Sequence, residues 1–113
     1  LLPETHHLIG AREFALMRPD AMFFNLARGE VVDEGALYAA LREGRIAGAG
    51  IDVFAQEPTP ADNPLLKLDN IVFTPHAATT TEESLRDMSL VALDVVRVLR
   101  GEPPAYPVNR LGE

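Results

Sequence analysis

Three polar side chains in this sequence lie close to the ends of short apolar runs and could together bind a carboxylate and transfer a proton. Arg28 follows residues 23–27, Glu57 follows residues 51–56, and His76 follows residues 71–75. An arginine guanidinium grips a carboxylate through paired donors, and an imidazole moves protons near neutral pH. A carboxylate beside the imidazole favours its protonated form. The three residues therefore predict a site that anchors an acid and transfers a proton.

The apolar runs themselves predict strands at about residues 22–26, 45–54 and 71–74. Such runs, bounded by Gly or Pro, are typical of buried parallel strands. Side chains just past the carboxyl ends of parallel strands line the ligand crevice of an open α/β sheet. Taken singly, Arg28, Glu57 and His76 would each be an ordinary turn or loop residue. Their shared position after predicted strands favours one common cleft.

Helices are predicted between and after these strands. Apolar positions spaced by three and four indicate a short helix over about residues 10–18. Asp33 predicts the N-cap of a second helix, with Glu34 in its first turn and Gly44 as its C-terminal stop. Thr80 and Glu83 form a T-x-x-E capping box before a long helix that ends near residue 100.

The long helix is apolar well beyond one stripe, as its residues Leu90, Val91, Leu93, Val96 and Val98 show. We therefore expect it to be buried both by its own domain and by a partner domain or subunit. The alternation of helices with buried strands favours a parallel sheet with right-handed crossovers. The expected fold class is α/β, the second half of a doubly wound parallel sheet, with a long C-terminal helix that packs against a missing domain or subunit.

Composition narrows the function classes. The chain has 113 residues, of which 47% are hydrophobic, and a net charge of −7, which argues against a nucleic-acid-binding or anionic-membrane surface. It has no cysteine, hence no disulfide or thiolate metal site, and no long apolar span. We read the neighbouring His6 and His7 as surface or loop residues and predict no metal site. A soluble, cytoplasmic protein is expected, and the absence of an initiator Met suggests that an amino-terminal part is missing.

Several stretches closely resemble one known family. They are Leu-Ile-Gly at 8–10, Asn-Leu-Ala-Arg-Gly at 25–29, Val-Asp at 32–33, Gly-Ala-Gly-Ile-Asp-Val-Phe at 48–54, Glu-Pro at 57–58, Asn-Pro-Leu at 63–65 and Asn-Ile-Val-Phe-Thr-Pro-His at 70–76. In order and spacing they resemble the carboxy-terminal half of the NAD-binding region of D-isomer-specific 2-hydroxyacid dehydrogenases, which include phosphoglycerate dehydrogenase and the glyoxylate and hydroxypyruvate reductases. The resemblance implies a Rossmann-like sheet and favours the functional interpretation of the polar trio.

The resemblance also implies roles for the trio. Arg28 matches the arginine that binds the carboxylate and carbonyl oxygen of a 2-oxo acid. His76 matches the acid/base that protonates the carbonyl oxygen as hydride arrives, and Glu57 matches the carboxylate paired with that imidazole. These three are the predicted catalytic residues, and the expected reaction transfers hydride between NAD or NADP and the C2 carbon of a small D-2-hydroxy acid or 2-oxo acid.

Cofactor contacts follow from the same resemblance. Asp52 resembles the residue that hydrogen-bonds the nicotinamide carboxamide. The full predicted set of cofactor-binding residues is Leu26, Ala27, Arg28, Asp52, His76, Ala77 and Ala78. Residues 1–113 then form the carboxy-terminal part of the NAD(P)-binding domain with its C-terminal helix and tail, and both the Gly-rich dinucleotide turn and the amino-terminal substrate domain are expected upstream. Alone, this chain is expected to be inactive.

Two other functions stay open at this stage. A non-enzymatic, nucleotide-sensing interaction module is one, because the family's transcriptional corepressors resemble the enzymes in these stretches. An independent α/β binding domain is the other. For the dehydrogenase, the expected partners are a small 2-hydroxy or 2-oxo acid and a second copy in a homodimer, without nucleic acid or membrane. Phosphoglycerate, glycerate and glycolate types of substrate are all compatible with the sequence.

Overall fold

The computed structural model describes residues 1–108, which fall into two compact units. The first unit comprises residues 1–78, and the second begins at residue 79. Each unit is described by itself.

A three-stranded parallel sheet organises the first unit. Its strands are β1 (Met22–Asn25), β2 (Gly48–Ile51) and β3 (Ile71–Phe73), in the order β1-β2-β3. Asn25 is in register with Ile51, which is in register with Phe73, so the three carboxyl ends are aligned. The predicted parallel sheet is confirmed. The middle strand is shorter than the predicted 45–54, because its neighbours provide ladder partners only for Gly48–Ile51.

Helix α1 (Ala11–Leu16) precedes β1, and α2 (Glu34–Arg42) lies between β1 and β2 in the chain. The predicted cap of α2 is confirmed, since the Asp33 carboxylate accepts a hydrogen bond from the Ala36 amide at 3.0 Å. Gly44 ends the helix with φ 65°, a left-handed conformation that a glycine adopts without steric cost. Short 3-10 turns occur at Pro3–Thr5, Gly29–Val31 and Pro64–Lys67.

The core of the first unit lies between the sheet, α1, α2 and the last 3-10 turn. Phe14, Leu37, Ile46 and Leu65 are its largest fully buried side chains. Burial of each such side chain stabilises the fold by about 1.5–3 kcal/mol relative to leaving it exposed. Leu65 ties the 3-10 turn Pro64–Lys67 to this core, which fixes the far end of the long loop after β2.

The second unit contains α3 (Glu82–Ser89) and α4 (Val91–Leu99). The predicted C-terminal helical segment is present, with one interruption at Leu90, whose φ of −66° and ψ of −19° remain in the right-handed helical region. The predicted cap at Thr80 is displaced by one residue, because it is the Thr81 hydroxyl that accepts from the Ser84 amide at 3.1 Å. Within the described residues, no helix is both long enough and apolar enough to cross a membrane.

Candidate active site

Glu57 and His76 form a direct pair at the carboxyl edge of the sheet. The His76 Nδ1 atom lies 2.8 Å from Glu57 Oε2, and the other carboxylate oxygen accepts from the Phe54 amide at 3.0 Å. The hydrogen bond with His76, followed by that with the Phe54 amide, lowers the pKa of the Glu57 carboxyl. The sequence placed these two residues 19 positions apart at a common edge, and the structure brings them into contact.

The loop that carries His76 is held by Asp52, which directly follows β2. The buried carboxylate of Asp52 accepts hydrogen bonds from the Thr74 hydroxyl and from the amides of Ala77, at 2.7 Å, and Ala78, at 2.9 Å. The His76 amide donates to the Asp52 carbonyl at 2.8 Å. These bonds support a left-handed backbone at His76, where φ is 54°.

The same hydrogen bonds set the charge state of Asp52. The bond from Thr74 contributes most, followed by that from the Ala77 amide, and together they lower the pKa of the Asp52 carboxyl. Asp52 is only 3% exposed, and both of its oxygens serve its own chain. A contact from Asp52 to a nicotinamide carboxamide therefore stays a prediction, beside a structural role that the sequence did not indicate.

A cavity of about 490 Å³ opens beside the Glu57–His76 pair. Its walls are largely apolar, and Glu57 and His76 are among the polar residues that line it, an arrangement typical of small-molecule sites. The lining residues are Asp52, Phe54, Glu57, Pro58, Thr59, Leu66, Phe73, Thr74, Pro75 and His76.

Arg28 lies at the same edge of the sheet, after β1, but is not one of the residues lining this cavity. The buried Asn25 shapes its turn: the Asn25 amide group donates to the Arg28 carbonyl at 2.9 Å and accepts from the Ala27 amide at 3.1 Å. The exposed guanidinium donates to the Ala27 carbonyl at 2.6 Å. The structure thus brings Glu57, His76 and Asp52 together and leaves Arg28 on a neighbouring loop.

A glycine packs the Arg28 loop against the loop that leads to Glu57. A Cβ atom at Gly29 would lie 2.0 Å from the Phe54 carbonyl carbon and 2.2 Å from the Ala55 nitrogen. No side chain fits at such distances, so this close approach of two backbones requires glycine.

The residues predicted to bind the cofactor have different surroundings in the structure. Leu26 lines a smaller cavity of about 150 Å³, next to Asp52, and is 59% exposed. Ala77 and Ala78 use their amides to bind Asp52. Within the described part of the chain, no group of three or more His, Cys, Asp or Glu side chains could hold a metal ion.

Sequence reasoning missed three residues that shape the site: Asn25, Gly29 and Thr74. Asn25 and Thr74 are polar residues at the ends of apolar runs, a signal that was available but also fits ordinary turns. The role of Gly29 had no local signal, because it depends on the backbone of Phe54, which is distant in the sequence.

The chain matches a known family over most of its length. Residues 1–78 match the family model described as the D-isomer specific 2-hydroxyacid dehydrogenase, NAD binding domain. Over 97% of the chain, the sequence is 50% identical to a glyoxylate reductase of Korarchaeum cryptofilum, of which it covers 33%. It is 46% identical to a D-3-phosphoglycerate dehydrogenase of Methanocaldococcus jannaschii, over 100% of this chain and 23% of that protein.

Among solved structures, a D-isomer specific 2-hydroxyacid dehydrogenase from Xanthobacter autotrophicus Py2, in complex with NADPH and MES, is similar with a TM-score of 0.82 and 42% identity. The match covers 96% of this chain and 35% of that one. The chain therefore spans about a third or less of the length of these relatives. Since the family model matches most of its residues, the chain belongs to the D-isomer-specific 2-hydroxyacid dehydrogenase family.

Proposed function

We propose that the full-length protein containing this chain is an NAD(P)-dependent D-2-hydroxyacid dehydrogenase. It would reversibly transfer a hydride between the nicotinamide and the C2 carbon of a small 2-hydroxy or 2-oxo acid. The observation that carries the proposal is the Glu57–His76 hydrogen bond of 2.8 Å at the mouth of an apolar cavity. A carboxylate-supported imidazole in such a place is suited to general acid/base catalysis.

The contact with Glu57 supports one ring atom of His76 as the proposed proton donor. Nδ1 is engaged by Glu57, which leaves Nε2 as the ring nitrogen that exchanges a proton with the substrate oxygen. In reduction, the imidazolium would give its proton to the carbonyl oxygen. In oxidation, the neutral ring would take the hydroxyl proton, and the Glu57 carboxylate would stabilise the resulting positive charge.

Arg28 is proposed to bind the substrate carboxylate. Its exposed guanidinium donates to the neighbouring Ala27 carbonyl at 2.6 Å, a hydrogen bond that a charged carboxylate would replace. A planar fork of donors also fixes the orientation of the acid. Orientation at this site decides which face of C2 receives the hydride.

The surface beside this edge fits the flat ring of a nicotinamide. Leu26 and Phe73 are exposed apolar residues that line the smaller cavity together with Asp52. When bound, the cofactor would supply or accept the hydride. We propose that Leu26, Ala27, Arg28, Asp52, His76, Ala77 and Ala78 form this part of its binding site.

We propose the substrate class from the similar proteins, which include glyoxylate, hydroxypyruvate and phosphoglycerate enzymes. Small acids of this kind suit a site with one arginine and one imidazole. We further propose that the enzyme works in the cytoplasm as a homodimer, since the exposed apolar residues of α3 and α4 offer a surface for a partner.

Turnover by the full-length protein tests the proposal. NADH and NADPH oxidation would be followed with glyoxylate, hydroxypyruvate, pyruvate and 3-phosphohydroxypyruvate, using His76→Gln as the variant without the acid. We expect turnover of at least one acid, and its loss in His76→Gln with NADH binding retained in fluorescence titrations. Tight NADH binding without turnover of any acid would instead support the nucleotide-sensing module.

A further inference from the structure

Glu34, the first residue of α2, reaches across to the loop that carries Glu57. Its Oε1 atom accepts from the Ala55 amide at 2.6 Å, and its Oε2 atom accepts from the Asn63 side-chain amide at 3.2 Å. An acidic residue in a first helical turn usually serves to complement the helix dipole. Here both carboxylate oxygens hold a segment that is 21 to 29 residues away in the sequence.

The segment that Glu34 binds is exposed at the site and anchored to the core on either side. Residues 55–58 are exposed, whereas Phe54 before them and Leu65 after them are buried. The Asn63 side-chain oxygen accepts from the Leu65 amide at 3.0 Å, so Asn63 connects Glu34 to the core end of the loop. Glu34 therefore fastens the exposed loop near both of its ends.

Two successive amides in this loop bind two different carboxylates. The Phe54 amide donates to Glu57 at 3.0 Å, and the next amide, that of Ala55, donates to Glu34. Hydrogen bonds from amides to carboxylates are stronger than those between neutral groups. Glu34, on α2, therefore fixes the backbone next to the amide that binds the Glu57 carboxylate.

We propose that Glu34 is a positioning residue, which holds the 55–63 loop so that the Glu57 carboxylate stays on His76 Nδ1. Its consequence for turnover rests on the proposed dehydrogenase function. Among the described residues, the carboxylates that interact with the His76 charge are Glu57, from this loop, and Asp52, from the end of β2. Because Asp52 is held by Thr74, Ala77 and Ala78, loss of Glu34 should weaken the Glu57 contact and leave that of Asp52 in place.

The test uses the full-length protein with Glu34→Ala, Glu34→Gln and the control Glu43→Gln. Glu43 lies at the other end of α2, with Arg45 at 3.9 Å as its ion-pair partner. We expect Glu34→Ala to lower kcat/KM for the 2-oxo acid by about five-fold or more, with an unchanged KM for NADH. Its upper pH limit for reduction should move toward that of Glu57→Gln. In Glu34→Gln, which keeps one acceptor oxygen, this pH limit should move less. In Glu43→Gln it should stay at the wild-type position.

A double-variant cycle separates positioning from a general loss of stability. In a Glu57→Gln background, Glu34→Ala should produce no further movement of the pH limit, because the negative charge that Glu34 positions beside His76 is already gone. The proposal would be overturned if Glu34→Ala moved the pH limit equally in the wild-type and Glu57→Gln backgrounds. It would also be overturned if folded Glu34→Ala kept the pH limit of the wild type. If Glu34→Ala does not fold, Glu34→Gln serves in the same comparison.

An NMR titration of the His76 imidazole tests the positioning role of Glu34 without measuring turnover. The His76 signal would be assigned with His76→Gln, and its titration midpoint compared between the wild type and the Glu34 variants. A midpoint that moves to lower pH in the Glu34 variants supports the positioning role of Glu34, and an unmoved midpoint contradicts it. A wild-type protein that turns over no 2-oxo acid would refute the proposed function and still give a decision on Glu34.

Discussion

At the scale of single residues, the central feature is a hydrogen-bonded pair of partly exposed side chains. The side chain of His76 is 48% exposed and that of Glu57 is 37% exposed. Water screens an interaction between such groups, and a covering domain or substrate would strengthen it by lowering the local dielectric. The pair is therefore suited to act most strongly when a bound acid and cofactor exclude water from the cavity.

Replacing Arg28 tests the carboxylate anchor. An ammonium group cannot reproduce the paired donors of a guanidinium, so Arg28→Lys in the full-length enzyme should raise KM for the 2-oxo acid and lower kcat/KM by at least about ten-fold. Steady-state kinetics measure both values, with Arg18→Lys as the control, because Arg18 pairs with Asp20 on the surface. Unchanged kinetics in Arg28→Lys would remove Arg28 from the site.

Replacing Glu57 tests the pair through its pH dependence. The hydrogen bond with His76 lowers the pKa of the Glu57 carboxyl. As a general rule, a carboxylate beside an imidazole favours the protonated ring. Reduction needs the protonated ring, and oxidation needs the neutral ring. In Glu57→Gln, the high-pH limit of reduction and the low-pH limit of oxidation should therefore both move to lower pH.

The measurement is kcat/KM against pH in both directions. Limits that stay at their wild-type positions in Glu57→Gln would assign the proton to another group. The same conclusion would follow if His76→Ala kept near-normal turnover.

At the scale of elements, the site depends on the turn after β3, which is shaped by a residue after β2. Asp52 binds Thr74, Ala77 and Ala78 and thereby holds His76 at φ 54°. A left-handed conformation is unfavourable for a residue with a Cβ atom, so these bonds must offset its cost. We expect the stability of the turn to depend on the charge of Asp52.

The sign of that dependence follows from the pKa of Asp52, which folding lowers below the ordinary value of 3.8. A lowered carboxyl pKa contributes stability that is complete above the ordinary value and is lost as the pH falls through the folded-state value. Asp52→Asn removes this contribution and sets an amide donor against the amides of the turn. Relative to the wild type, Asp52→Asn should lose most stability at neutral pH and less at a pH below the ordinary carboxyl value of 3.8.

Urea unfolding of the wild type and Asp52→Asn at both pH values measures this difference, with Asp20→Asn as the control at an exposed ion pair. A difference between wild type and Asp52→Asn that is equal at the two pH values would show that the charge of Asp52 does not support the turn.

A second element-scale prediction concerns the contact between the two site loops. Gly29→Ala would place its Cβ atom 2.0 Å from the Phe54 carbonyl carbon, so one of the two backbones must move. We expect a loss of stability of about 1–3 kcal/mol, together with reduced turnover, because Arg28 and Glu57 are carried by these loops. Gly10→Ala is the matched control, since its Cβ atom would meet only the Glu13 carboxylate at 3.7 Å. Equal stability of the two variants in urea would contradict the tight contact.

At the scale of the whole molecule, the second unit has much exposed apolar surface. In α3 and α4, the exposed fraction is 54% at Leu85, 60% at Leu93, 55% at Val95 and 81% at Leu99. Helices with such surfaces are normally covered by another domain or subunit. The expectation that the long helical segment packs against a partner is consistent with this exposure.

Sedimentation of the isolated 113-residue chain tests that expectation. We expect it to dimerise or aggregate, because the apolar side chains of α4 would associate in water. Val95→Lys, on the exposed apolar surface of α4, should reduce association, whereas Arg97→Lys should not. A stable, monodisperse monomer would contradict the expectation and favour an independently folding domain.

The sequence by itself determined the order of elements, the parallel sheet, the Asp33 cap, and Arg28, Glu57 and His76 as candidate site residues. These features follow from short-range patterns, because apolar periodicity and capping residues act within a few positions. The alignment of strand ends then placed Glu57 and His76 at one edge without any knowledge of their contact.

Only the tertiary structure decided how that edge is built. In the folded chain, Asp52 binds the turn after β3, Gly29 packs against the Phe54 backbone, and Glu34 binds the loop that carries Glu57. Each of these contacts links residues about 20 or more positions apart, so it depends on how the elements pack and leaves no periodic trace in the sequence. A carboxylate at the start of a helix has the same local pattern whether it caps that helix or holds a distant loop, and packing alone selects between the two.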